Sequence, residues 1–260
     1  MSRAAPLQAR RIVLIMLASF SATAAAAAEP ARACRAVSPA HQTALVELYT
    51  SQGCSSCPPA DRWLSQLEDR HSRDRVIPIA LHVDYWDYIG WKDPYARRAF
   101  SERQRALAAS NGSHTVYTPG VFLQSREFPH WSHTARFDVE ARAITGAPAA
   151  VRITLTATVD GAMIQLDSNA VALASVREPR LYLALVESGL ATRVRAGENR
   201  GETLRNDRVA REWSGPLTMN PGPQRWTLPA PDRARFAVVG FVEDAAGRVL
   251  QAVDLPLAGC

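Results

Sequence analysis

Two blocks of the chain, 44–50 (ALVELYT) and 76–83 (VIPIALHV), are almost wholly apolar, the pattern of strands covered on both faces. Between them Pro58 and Pro59 open a stretch in which Ala60, Trp63, Leu64 and Leu67 recur at helical spacing. Proline is tolerated in a first helical turn, where its missing N–H has no intrahelical partner to lose. After an aromatic loop at 84–91 (DYWDYIGW), Asp93-Pro94 reads as an N-cap with proline at N1. The helix it opens runs to Ser110 and stops at Asn111-Gly112. Residues 115–123 contain a strand and 135–144 a short helix ending at Gly146. The order β-α-β-α-β-α belongs to a layered α/β fold.

Beyond Pro148 the period changes. Val151, Ile153, Leu155 and Val159 alternate with Arg152, Thr154, Thr156 and Thr158, a half-buried strand. Asp160-Gly161 marks a tight hairpin, 181–186 and 236–242 are buried strands, and Ala245-Ala246-Gly247 turns the last pair. No long helix is predicted here. The expected architecture is an α/β domain over 29–147 followed by an all-β, sandwich-like domain over 148–260.

The first 28 residues stand outside that pattern. Arg3, Arg10 and Arg11 precede a short apolar run, 12–20, and an alanine run, Ala24 to Ala28, in the order of a secretory signal peptide. The strongly apolar part is too short to span a bilayer, so no membrane span is expected after cleavage. Cleavage removes three arginines and lowers the formal charge from +5 to +2. With no dense basic run, nucleic-acid binding gains little support. The expected location is periplasmic or secreted, where cysteines pair.

The cysteines carry the chemistry. Cys54 and Cys57 stand two residues apart, after a strand and at the opening of a helix. There, unpaired backbone N–H groups and the positive end of the helix dipole stabilise a thiolate. Cys54 is expected to attack and Cys57 to resolve the mixed disulfide. Glu47 interrupts an apolar strand seven residues before Cys54. It is either a proton relay to Cys57 or a solvent-facing strand end. Thr118-Pro119, entering a strand, is a candidate cis peptide that would hold a backbone edge open to a partner beside the CxxC.

VELYTSQGCSSCPPAD, HVDYWDYIGWKDP, SERQRA, VYTPGVFL and GENRGETLRNDRV together resemble a family of secreted proteins known only as a domain of unknown function, number 1223. The resemblance implies a thioredoxin-like fold for the N-terminal part, with Cys54, Cys57 and Pro119 at the usual redox positions. It names no substrate. One departure is visible: a short glycine-containing hairpin is expected after VYTPGVFL, and QSREFPHWSH stands there instead, so the sheet edge near the site is expected to be altered.

Cys34 and Cys260, lacking near partners, are left to pair with each other or to remain free at the chain ends; export favours a structural disulfide. His82, Asp84 and Trp86, with Thr118, are candidates for the wall of a substrate groove, while Trp86 and Trp91 also suit a packed loop. The segment Gly197 to Gly201, with Asn206, reads as turn geometry in preference to a surface facing the groove. The expected function is thiol–disulfide exchange without a cofactor, with a thiol or disulfide protein as substrate and an unidentified redox partner. The alternatives are a Cu(I) or other metal-binding module on the same thiols, for which His82, or for zinc His130 and His133, would be further ligands, and a non-catalytic binding protein with a structural CxxC disulfide.

Overall fold

A computed structural model describes Met1, residues 33–229 and residues 231–260. The expected signal peptide, past its first residue, lies outside the described residues. From Ala33 onward the described residues form one compact unit.

The elements of the first half are β1 (Ala33–Val37), β2 (Ala44–Thr50), α1 (Pro58–Arg70), β3 (Val76–His82), a 3-10 turn at Asp84–Ile89, α2 (Arg98–Ser110), β4 (Gly120–Leu123), β5 (Arg126–Glu127) and α3 (Thr134–Thr145). The second half is built from β6 (Val151–Asp160), β7 (Met163–Ala172), β8 (Arg180–Glu187), β9 (Leu190–Arg193), β10 (Thr203–Asn206), β11 (Val209–Leu217), β12 (Gln224–Thr227), β13 (Phe236–Glu243) and β14 (Val249–Pro256). Two of the sequence expectations change. The aromatic loop is helical at Asp84–Ile89. The helix expected from Asp93 starts only at Arg98, because the Asp93 carboxylate is drawn to His82 and the Gln52 N–H as well as to Tyr95 N–H.

An eight-stranded sheet in the order β14-β13-β8-β11-β3-β2-β4-β5 runs through both halves, with β11, β3 and β2 parallel and the rest antiparallel. The halves expected at 29–147 and 148–260 therefore share a backbone ladder. A strand covered on both faces carries the same apolar pattern whether it founds a new sheet or extends an old one, so the join is not readable from the pattern. One face of the long sheet is covered at the β2–β3 end by α1 and α3, through Trp63, Leu64, Leu67, Phe137 and Ala141. At its other end a four-stranded sheet, β1-β6-β7-β12, packs on β8, β13 and β14 as the second layer of a sandwich. The opposite face takes α2, through Phe100 and Leu107.

Cys34 on β1 is disulfide-bonded to Cys260, closing a separation of 226 residues. The hairpin after β4 survives without glycine. Gln124 and Ser125 both adopt positive φ (53° and 63°), and the Gln124 side chain bonds Leu45 N–H and the Val249 carbonyl, which holds the turn against the sheet. Among the described residues no helix is long and apolar enough to cross a membrane.

Candidate functional site

Cys57 is the N-cap of α1 and already has helical backbone angles (φ −77°, ψ −38°). Cys54 lies in the loop leaving β2, and the two sulfurs form a disulfide. Ser55 and Ser56 are exposed, whereas Cys57 is fully buried and Cys54 is only 1% exposed. The loop reaches this position because Gly53 has no side chain: a Cβ there would stand 3.1 Å from Ile89 Cδ1 and 3.5 Å from Trp86 Cβ.

The Thr118–Pro119 peptide is cis. The Thr118 carbonyl oxygen stands 3.8 Å from Cys54 Sγ and accepts from Ser56 Oγ at 3.5 Å. Trp86 Nε1 donates to Thr118 Oγ1 at 2.7 Å, and the Trp86 ring stacks on the exposed Tyr88. The fold thus gathers Cys54, Cys57, Thr118, Pro119 and Trp86 at one end of the long sheet.

Three expected site residues are placed elsewhere. Glu47 faces away from α1: Val46 and Leu48 pack on α1, so strand alternation turns Glu47 to the α2 face. There it receives Arg103 Nε at 2.7 Å and Nη2 at 2.9 Å, and Tyr49 O–H at 2.9 Å. It is neither at a solvent-facing end nor beside Cys57. Asp84 is engaged by the Ser101 hydroxyl of α2. His82 is fully buried beneath the loop and cannot wall an open groove.

His82 belongs to a second group under the disulfide. Its Nδ1 stands 2.7 Å from Asp93 Oδ2, which also accepts from Gln52 N–H at 2.8 Å. Burial alone would lower the His82 pKa, but the adjacent Asp93 carboxylate outweighs it and holds the imidazole above its usual value. Asp93 shows the reverse balance: burial pushes it up, and the His82 charge with the Gln52 and Tyr95 N–H groups takes it below the usual carboxylate range. Asp61, in the first turn of α1, is buried as well, and burial pushes its carboxyl up to about 6 against the opposing charge of His82. His82 Nε2, Asp61 Oδ1 and Thr50 Oγ1 have no hydrogen-bond partner among the described residues.

The segment read as a simple turn lies directly on the disulfide loop. Asn199 Nδ2 donates to the carbonyls of Gln52 and Cys54, both at 2.9 Å. Glu198 Oε2 accepts from Ser55 N–H at 2.9 Å and Ser55 Oγ at 2.7 Å, and these two bonds lower its pKa. Gln52 Nε2 donates to Asn206 Oδ1 at 3.0 Å. Gly197, at φ +74°, passes so close to the 3-10 turn that a Cβ would meet Ile89 at 3.0 Å and Trp91 at 3.3 Å. Asp61 is not among the residues expected at the site, and Asp93 is expected only as an N-cap. The signal for Asp61 was present: an acid four residues after Cys57 on the otherwise apolar face of α1. His130 and His133 lie together before α3, and among the described residues no group of three or more His, Cys, Asp or Glu is placed to hold a metal ion.

The model of a family described as a protein of unknown function, DUF1223, matches residues 45–243. No curated protein matches. Protein AGR_C_4864 from Agrobacterium tumefaciens, a crystal structure, is similar with a TM-score of 0.58 at 24% identity, over 84% of this chain and 95% of that one. HBP35 of Porphyromonas gingivalis is similar with a TM-score of 0.61 at 12% identity, over 85% of this chain and 76% of that one. At these identities the likeness concerns the fold alone.

Proposed function

The chain belongs to this DUF1223 family of unknown function, and we propose that it is an exported thiol–disulfide oxidoreductase with a thioredoxin-like N-terminal part. The observation that carries the reading is a disulfide at the head of α1 whose outer sulfur, Cys54 Sγ, stands 3.8 Å from the Thr118 carbonyl. The β2–α1–β3 order, with β4 entering at Pro119, supports the thioredoxin-like assignment. The signal-like N-terminus supports export to the periplasm or beyond, and the two disulfides are compatible with it.

In the reducing direction, the Cys54 thiolate attacks a protein disulfide, forms a mixed disulfide and releases one substrate thiolate. The Cys57 thiolate then attacks Cys54 Sγ, the Cys54–Cys57 bond forms, and the second substrate thiolate leaves. In the oxidising direction a substrate thiolate attacks Cys54 and expels Cys57. The head of α1 favours the anionic sulfur in both. Thr118 presents its backbone to the partner chain, and Trp86 with Tyr88 offers an aromatic wall. Exchange requires Cys54, 1% exposed, to be uncovered, and Glu198 and Asn199 hold the loop that carries it.

That burial favours a second reading, a non-catalytic binding protein whose Cys54–Cys57 bond is structural. Substitution separates the two. Cys54→Ser abolishes reduction of a protein disulfide, and Cys57→Ser accumulates a mixed disulfide on Cys54. Turnover unchanged in Cys54→Ser contradicts the oxidoreductase reading.

A further inference from the structure

Resolution needs Cys57, a fully buried thiol, to lose its proton away from solvent. Glu47 is not available for this, since it lies on the far face of the sheet and is held by Arg103. Asp61 is. Cys57 and Asp61 are four residues apart, with Cys57 helical and Asp61 N–H bonded to the Cys57 carbonyl at 3.0 Å. Side chains at that spacing share a helix face with Cβ atoms about 5–6 Å apart. Across the interface, His82 on β3 faces the same helix: Val76 and Ala80, which alternate with it, pack on α1.

Burying an acid and an imidazole together, each with an atom left unbonded, costs stability and calls for a compensating use. The charged and titratable groups facing Asp61 are His82 on β3, Asp93 after the 3-10 turn and Arg62 on its own helix. Arg211 on β11 acts on His82, and Asp207 beyond β10 accepts from Ser65, one turn further along α1. Among the described residues, none of these is bonded to the free Asp61 oxygen.

Building on the oxidoreductase reading, we infer that Asp61, positioned by His82 and Asp93, is the proton acceptor and donor for the Cys57 sulfur. In the reducing direction, Cys57 S–H passes its proton to the Asp61 carboxylate, and the resulting thiolate attacks Cys54 Sγ and expels the substrate thiolate. In the oxidising direction, Cys57 leaves as a thiolate and takes the proton back. Asp61 acts on the sulfur directly; His82 and Asp93 are positioning residues.

The test mixes reduced protein with oxidised glutathione and follows the two successive releases of glutathione over pH. In the wild type, the second release, which reports attack by Cys57, rises through the pH at which Asp61 titrates, about 6, an inflection absent from the first release. Asp61→Asn slows the second release on the order of a hundredfold, removes that inflection and leaves the first release unchanged. Asp61→Glu restores part of the rate. A second release with no such inflection in the wild type, or with the wild-type rate and profile in Asp61→Asn, overturns the inference. A wild-type protein that releases no glutathione overturns the oxidoreductase reading and this inference with it.

Discussion

The long sheet carries a buried acid cluster on each face, and the two are built to opposite rules. On the α2 face, Glu47 and Glu243 share Arg103, whose guanidinium also lies 4.9 Å over the Tyr182 ring and 5.1 Å over that of Phe241. One guanidinium serves both carboxylates, and both Glu47 oxygens are bonded. On the α1 face, Asp61, His82 and Asp93 lie under the disulfide with Asp61 Oδ1 and His82 Nε2 unbonded among the described residues. A carboxylate locked to a cation is a fastener, because separating it costs more than it returns. One kept short of partners retains a proton it can give or take.

The largest expected effect breaks the fastener. Arg103→Ala leaves two buried carboxylates without their cation and lowers unfolding free energy by about 3–5 kcal/mol, read by denaturant titration. The pH profile of exchange in the surviving folded protein stays that of the wild type, since the cluster is on the other face. A changed profile would erase the distinction between the faces.

Next is the opposite response on the α1 face. Asp61 titrates above its unfolded value, so the folded state binds this proton more tightly. Stability from Asp61 is therefore present below about pH 4 and lost as pH rises to about 6. Asp61→Asn removes that slope and makes the protein more stable at pH 7, by roughly 2–3 kcal/mol. Asp93 has the other sign: its depressed pKa contributes stability above the unfolded value that is lost as pH falls. Asp93→Asn accordingly destabilises at pH 7. Thermal unfolding of both variants from pH 4 to pH 8 checks the pair, and slopes of the same sign contradict it.

The smallest effect concerns the clamp. Glu198→Gln removes a negative charge from beside Ser55 and so favours the Cys54 thiolate. The reduction potential of the couple moves upward, toward a stronger oxidant, in a glutathione buffer series. A downward shift would mean that the clamp serves only to hold the loop.

Much of the site was legible locally. The apolar blocks gave β2 and β3 their bounds, the proline pair marked the head of α1, and the CxxC and Thr118-Pro119 converge as their spacing within an α/β order suggested. Distance along the chain, seven residues before Cys54, does not say which face Glu47 takes; strand parity does, and it groups Glu47 with Leu45 and Tyr49. Glu198 was out of reach for a different reason. It meets Ser55 across 143 residues, a contact made by the shared sheet, and no local period encodes which strands become neighbours.

An oxidoreductase needs the Cys54–Cys57 bond to exchange. Its reduction potential, measured on the wild-type protein against glutathione, is the most direct test. The expected value lies in the range of known oxidoreductases, roughly −120 to −270 mV. A value below about −300 mV, or a bond that resists reduction in the folded protein, contradicts it and leaves a structural disulfide.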